Sequence, residues 1–129
     1  MESFTVSTEL PARPEQIYEA WLSSEGHSQM TGSPAEVQAG SGGKFKAWEG
    51  YIWGKTLELE APGRIVQAWR TSEFPEHSPD SRVEILLEEV PSGAKVTLVH
   101  TGIPDGQGED YKQGWEEFYF TPMRTYFSK

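Results

Sequence analysis

Histidine is the residue type best suited to proton transfer near neutral pH, and this sequence has three. His27 and His77 fall in polar stretches that predict loops, whereas His100 follows Val96 and Leu98 at intervals of two residues. In a strand this spacing puts three side chains on one face, which we expect to be the inward face. His100 is then either a buried imidazole that bonds a neighbouring hydroxyl or carbonyl, or a polar anchor for a ligand inside a cavity.

Two other patterns suggest chemistry that the residues do not sustain. The possible ligands for a divalent cation in one polar segment are Glu73, Glu76, His77 and Asp80. Their spacing is not that of a zinc or calcium site, so we interpret them as solvated loop charges. Segment 40–44 resembles a phosphate-binding loop, but Gln38 stands where the motif needs its first glycine, and a predicted strand follows. The segment predicts a turn, and the sequence implies no metal and no cofactor.

The large aromatic side chains are the most informative group, with five Trp, five Tyr and six Phe. Simple packing of a helix on a sheet would explain any one of them. Trp and Tyr also combine an apolar ring with one N–H or O–H group, which suits them to orient a small apolar or aromatic molecule. The predicted ligand-binding residues are Trp53, Trp69, His100, Trp115, Phe118 and Tyr119.

Composition excludes several classes of function. Asp and Glu number 20 against 11 Lys and Arg, and the resulting net charge of −9 argues against nucleic acid and anionic membranes as partners. The absence of cysteine excludes disulfides, thiol nucleophiles and thiolate metal sites. No apolar segment approaches the roughly 20 residues that cross a bilayer, and no signal-peptide pattern follows Met1. We therefore expect a cytoplasmic protein with no membrane insertion.

The elements that must position these residues follow from hydrophobic periodicity. Alternation from Phe4 to Leu10 predicts a strand, Pro14 suits the first position of a helix, and segment 27–32 has room for one more helical turn. Further strands are predicted at 35–39, 44–49, 51–60, 64–70, 82–90 and 95–101. Their short connections, among them a turn at 91–94, favour an antiparallel sheet.

The last segment changes to helical spacing. From Glu109 onward, aromatic residues recur at intervals of three and four, which predicts a helix that begins near Gly108 and runs past Trp115. Pro122 must kink or re-route this helix, because its ring clashes with the carbonyl of Phe118. The chain shows no repeat and no linker, so we expect a single domain over residues 1–129.

Short motifs in a fixed order extend this interpretation. They are Gly42-Gly43-Lys44-Phe45, Gly50 with Gly54, Pro62-Gly63-Arg64-Ile65-Val66, Trp69-Arg70, Thr101-Gly102-Ile103-Pro104 and Gln113-Gly114-Trp115. In this order they resemble the C-terminal domain of the activator of the ninety-kilodalton heat-shock protein's ATPase, a family of the START-like (SRPBCC) superfamily. The resemblance implies an α+β helix-grip fold, in which a curved seven-stranded antiparallel sheet wraps around a long C-terminal helix. It also implies a stand-alone form, because 129 residues leave no room for the separate N-terminal domain of the eukaryotic co-chaperone.

The resemblance leaves three functional classes open. The first is a non-catalytic carrier or sensor that binds a small apolar or aromatic molecule in a pocket between the sheet and the C-terminal helix. The second is a protein-interaction module that regulates a chaperone ATPase in the stress response. The third is a cyclase- or hydrolase-type enzyme that acts by shaping its substrate.

Overall fold

A computed structural model describes residues 1–129. The strands are β1 (Glu2–Leu10), β2 (Glu36–Val37), β3 (Lys44–Ala47), β4 (Ile52–Glu60), β5 (Arg64–Thr71), β6 (Ser81–Val90) and β7 (Gly93–Ile103). The helices are α1 (Pro14–Trp21), α2 (Ser24–Thr31), α3 (Gly108–Trp115) and α4 (Thr121–Phe127), with a π-helical turn (Glu116–Phe120) between the last two. The architecture is α+β, with a helical pair between β1 and β2 and a helical segment at the C-terminus.

All seven strands form one antiparallel sheet in the order β1-β7-β6-β5-β4-β3-β2. Chain neighbours pair throughout, except that β1 closes on β7, with Val6 opposite Leu98. Alternation sends one face of each central strand inward, as Val83, Ile85 and Leu87 of β6 show by their burial. The predicted curved seven-stranded sheet with a C-terminal helix is therefore confirmed.

Several predicted boundaries need correction. The strand predicted at 35–39 is only Glu36–Val37, and the turn between β6 and β7 is shorter than 91–94, because Val90 already pairs with Gly93. His27 does not lie in a loop. It is buried in α2, which begins earlier than expected because the Ser23 hydroxyl accepts a hydrogen bond from the Gly26 N–H at 2.8 Å.

Pro122 is accommodated by widening the helix rather than by breaking it. The Thr121 N–H bonds to the Glu116 carbonyl, five residues back, and the helical backbone continues into α4. Pro122 then sits in the first turn of α4, where its missing N–H costs little. The extra residue of the π turn lets the consecutive rings of Tyr119 and Phe120 both be buried. The aromatic stripe of the C-terminal segment packs on the inward face of the sheet. Its core members are Tyr111, Trp115, Tyr119 and Phe120.

Candidate functional site

A cavity of about 430 Å³ lies between the sheet and the C-terminal helical segment. The residues that line it are Trp48, Tyr51, Ile52, Trp69, Asp110, Tyr111, Gly114, Trp115, Phe118 and Tyr119. Seven of these ten carry aromatic rings, and Asp110 is the one charged side chain among them. Phe118 is 50% exposed and Tyr51 is 38% exposed, so the cavity opens to solvent beside these two rings.

Gly114 leaves space where the helix passes over the cavity. A Cβ built at this position would meet one atom outside the local backbone, Cδ2 of Phe118, at an ordinary contact distance of 3.8 Å. A glycine inside a helix destabilises it by roughly 0.5–1 kcal/mol relative to alanine. The sequence therefore keeps an unfavourable residue at a position where a larger side chain would reduce the cavity.

Gly114→Ala is expected to raise the free energy of unfolding by about 0.5–1 kcal/mol, since helix propensity improves and no contact is strained. Urea unfolding followed by circular dichroism measures this change. Gly54→Ala is the contrasting variant, because its Cβ would lie 1.9 Å from the Ala68 carbonyl oxygen. That variant is expected to destabilise the protein, and a Gly114→Ala variant that does the same would show that the space is already filled.

The turn between β3 and β4 carries Trp48 to the cavity. Trp48, Glu49 and Gly50 have φ values of 54°, 58° and 85°, so three consecutive residues are left-handed, two of them without the freedom of glycine. The Trp48 ring meets Phe118 edge-on, with 5.3 Å between ring centroids. Its Nε1 is buried and makes no hydrogen bond of ordinary geometry, although its N–H lies close enough to the Tyr119 hydroxyl to influence the pKa of that group.

His100 lies behind the cavity wall and is fully buried. The Trp115 Nε1–H donates to its Nδ1 at 3.1 Å, so Nδ1 is an acceptor and the ring proton resides on Nε2. Nε2–H then donates to the Ser81 hydroxyl at 2.8 Å, and that hydroxyl donates to the Trp69 carbonyl at 2.8 Å. Every member of the chain is satisfied when the imidazole is neutral, and burial lowers the pKa of His100 to about 3.

His27 forms a second buried imidazole site that holds Tyr119. Because a carbonyl can only accept, Nδ1–H donates to the Trp21 carbonyl at 2.9 Å, and Nε2 accepts from the Tyr119 hydroxyl at 2.8 Å. Burial lowers the pKa of His27 and raises the pKa of Tyr119, although the nearby indole N–H of Trp48 partly offsets the latter. Both groups are therefore neutral at pH 7, and the hydrogen bond between them holds the ring of Tyr119 at the cavity wall.

A polar rim borders the cavity at the start of α3. The Tyr111 hydroxyl donates to Gln107 Oε1 at 2.6 Å, so it accepts from the Thr71 hydroxyl at 2.7 Å. The Gln107 amide donates to the Glu73 carbonyl at 3.0 Å, and the Tyr51 hydroxyl donates to the Glu73 carboxylate. These bonds connect the loop after β5 to α3. They also orient Tyr51 and Tyr111, whose hydroxyl protons are both used in hydrogen bonds within the protein.

Comparison with known proteins assigns the chain to a family. Residues 11–128 match the family model described as "Activator of Hsp90 ATPase homolog 1-like protein". The chain belongs to this family. The resemblance noted from the sequence motifs is thereby confirmed for almost the whole length of the chain.

Curated relatives of this Hsp90-ATPase-activator-like chain are longer proteins. The human "Activator of 90 kDa heat shock protein ATPase homolog 1" is 27% identical over 114 residues, which are 88% of this chain and 33% of that protein. The homolog from Dictyostelium discoideum is 25% identical over 128 residues, again 33% of its length. This chain thus spans about a third of the relatives that it matches.

Solved structures of similar chains share the fold. PFC0360w, an HSP90 activator from Plasmodium falciparum, superimposes with a TM-score of 0.86 at 28% identity, covering 95% of this chain and 94% of that one. DynU16, from the dynemicin biosynthetic locus, gives a TM-score of 0.82 at 16% identity, covering 100% of this chain and 48% of that one. At that identity DynU16 shows the fold alone.

The structure of this family member brings together most of the predicted binding residues. Trp69, Trp115, Phe118 and Tyr119 line the cavity, whereas His100 lies one layer behind it with both ring nitrogens bonded to protein groups. Trp53 is a correction. It lies outside the cavity, 37% exposed and beneath the Arg70 guanidinium at 6.0 Å, because its neighbour Ile52 takes the inward position of β4.

Three lining aromatics were not among the predicted binding residues. Tyr111 belongs to the same helical stripe as Trp115, so its spacing could have identified it. Trp48 begins the left-handed turn and Tyr51 follows it, and no periodicity tells which way such a turn directs its side chains. The loop predicted at His27 is wrong because Ser23 caps α2, a signal that the sequence does contain.

The acidic segment after β5 behaves as a set of loop charges. The Glu73 carboxylate bonds Tyr51, and Asp80 pairs with Arg70 at 2.9 Å. No group of three or more His, Cys, Asp or Glu side chains is arranged to hold a metal ion.

None of the helices has the length and apolar character needed to span a bilayer.

Proposed function

We propose that this protein binds a small apolar or aromatic molecule in the cavity between the sheet and the C-terminal helical segment, as a carrier or sensor. The observation that carries the proposal is the cavity itself, about 430 Å³ in volume and walled by seven aromatic rings. This volume falls within the range of about 300–1,000 Å³ that is typical of small-molecule sites. The other large concave sites of the protein are lined mainly by polar residues, so the apolar lining distinguishes this cavity from them.

The wall supports binding in two further ways. Phe118 keeps half of its surface exposed at the mouth, and an apolar ligand would cover part of that ring. The hydroxyl groups of Tyr51 and Tyr111 and the carboxylate of Asp110 add a few polar atoms to the mostly apolar wall. An apolar wall with a few polar groups is the pattern that orients small ligands.

The histidines favour binding over catalysis. Both nitrogens of His27 and both nitrogens of His100 are already bonded to protein groups, and neither ring lines the cavity. A general base must reach the proton that it abstracts from a bound substrate. Among the lining residues this leaves one carboxylate, Asp110, and no second acidic or basic side chain to act with it. Because a single exposed carboxylate offers no acid–base pair, we propose a non-catalytic role.

Regulation of a chaperone ATPase is the second candidate function. It is favoured by family membership and by the names of the human and Plasmodium relatives, both described as activators of the ninety-kilodalton heat-shock protein. The exposed rings of Phe118 and Tyr51 would then contact a protein instead of a small molecule. ATP turnover by the purified chaperone, measured with and without this protein, tests that role.

Apolar and aromatic compounds are expected to raise the melting temperature in a way that increases with concentration. Stabilisation follows RT ln(1 + [L]/Kd), about 2.7 kcal/mol at a hundredfold excess over Kd. Gly114→Phe should abolish the gain by filling the cavity, whereas Gly114→Ala should retain much of it. If a broad library leaves the melting temperature unmoved while the protein alters chaperone ATP turnover, the second function replaces the first.

A further inference from the structure

Resting on the proposed function, we infer that the preferred ligand is a hydrophobic cation, an amine whose ammonium group lies at the Asp110 end of the cavity. Asp110 is the one charged side chain that lines the cavity, where it is exposed to solvent at the mouth, and its carboxylate makes no hydrogen bond and no ion pair within the protein. No Lys or Arg lines the cavity. The binding surface therefore has an unneutralised negative charge.

The neighbouring polar atoms are acceptors as well. The proton of the Tyr51 hydroxyl is donated to the Glu73 carboxylate, and the proton of the Tyr111 hydroxyl is donated to Gln107. Both phenol oxygens can thus offer only lone pairs to a ligand. An ammonium group brings three donors and no acceptor, whereas a carboxylate brings acceptors alone. This end of the cavity is complementary to the former.

The electrostatic field agrees with the hydrogen bonding. Burial raises the pKa of Tyr111, and the negative charges of Glu73 and Asp110 raise it further, so both carboxylates act on this rim. Arg70 of β5 is already engaged with Asp80 and with the carbonyls of Pro75 and Ser78. The net charge of −9 adds a long-range attraction for cations.

The aromatic wall supplies the remaining attraction. The faces of Trp, Tyr and Phe rings carry negative potential and attract a cation placed within about 6 Å of the ring centre. Trp48, Trp69 and Trp115 all border the cavity, and the indole is the strongest of the three ring types in this respect. An amine on an apolar body therefore uses both the rings and the acidic rim.

Three probes of one shape separate this inference from the proposed function: 2-naphthylmethylamine, 2-naphthylmethanol and 2-naphthoate, titrated by calorimetry at pH 7. The amine is expected to bind about tenfold more tightly than the alcohol, and the carboxylate more weakly than either. Asp110→Asn should remove several-fold of the amine's advantage and leave the alcohol unchanged. Glu109→Gln is the matched control, because it makes the same change of charge at an adjacent residue that is exposed like Asp110 but lies outside the cavity, and it should keep that advantage.

Each outcome has a distinct meaning. Equal affinity for amine and alcohol overturns the inference and leaves the proposed function in place. Equal losses in Asp110→Asn and Glu109→Gln also overturn it, because the preference would then come from overall charge. If none of the three probes binds, the inference is overturned, and the broad library then decides separately whether the proposed function fails as well.

Discussion

Replacing Trp115 with alanine is expected to lower the free energy of unfolding by about 3–5 kcal/mol, the range for deleting a large buried aromatic side chain. The ring is 4% exposed and packs against Trp69 at 5.6 Å and Tyr119 at 4.7 Å between centroids. Its removal also leaves His100 Nδ1 without its donor. Equilibrium unfolding in urea, monitored by circular dichroism, gives the difference.

One further variant separates the contribution of the Trp115 ring from that of its N–H group, and a second serves as an exposed-site control. Trp115→Phe keeps an aromatic ring but removes the donor to His100, and should cost about 1–3 kcal/mol. Leu57→Ala, at a side chain that is 44% exposed, should stay within about 0.5 kcal/mol of the wild type. A loss below about 1 kcal/mol in Trp115→Ala would contradict the burial of this ring.

Stability is expected to fall as the pH drops below about 6.5, because His100 resists protonation in the folded state. Its pKa falls from 6.5 to about 3 on folding, so between these values the unfolded chain binds a proton that the folded chain does not. The stability that it contributes is fully present above pH 6.5 and is lost progressively toward pH 3. One such group lowers the free energy of unfolding by about 1.4 kcal/mol per pH unit within this window, or about 2 kcal/mol by pH 5.

Urea unfolding at pH values from 7.5 to about 5 measures this effect before the carboxylates with lowered pKa, Glu2 and Glu116, begin to contribute. His27 acts with the same sign, since burial lowers its pKa as well. His100→Gln should reduce the slope while His27 maintains the remainder. A flat stability profile across this range would contradict the account of two imidazoles held neutral.

The sheet and the helical segment could be predicted because each has a clear period in the sequence. Alternation in β6 and β7 is regular enough to place His100 on the inward face, and the aromatic spacing that includes Tyr111 and Trp115 predicts the helix. The resemblance carried by the short motifs then implied a seven-stranded helix-grip fold. Each of these patterns is carried by several residues, so a single ambiguous residue does not change the prediction.

For the remaining residues of the site, hydrophobic periodicity does not determine the direction of the side chain. Ile52 and Trp53 are adjacent and both apolar, so alternation alone cannot decide which faces the core. Trp48 reaches the cavity because three consecutive residues adopt left-handed backbone, and only one of them is glycine. The π turn before Pro122 changes the phase of the helix, which leaves Phe118 exposed although it belongs to the aromatic stripe.

The most direct test of ligand binding follows the five indole N–H signals in a ¹H–¹⁵N correlation spectrum during titration with an aromatic amine such as 2-naphthylmethylamine. Binding in the cavity predicts saturable shifts of the Trp48, Trp69 and Trp115 signals, which lie in its wall. Trp53, outside the cavity, serves as an internal control and should remain unmoved. Signals that do not shift, or a Trp53 signal that shifts as much as Trp48, would contradict the cavity as the binding site.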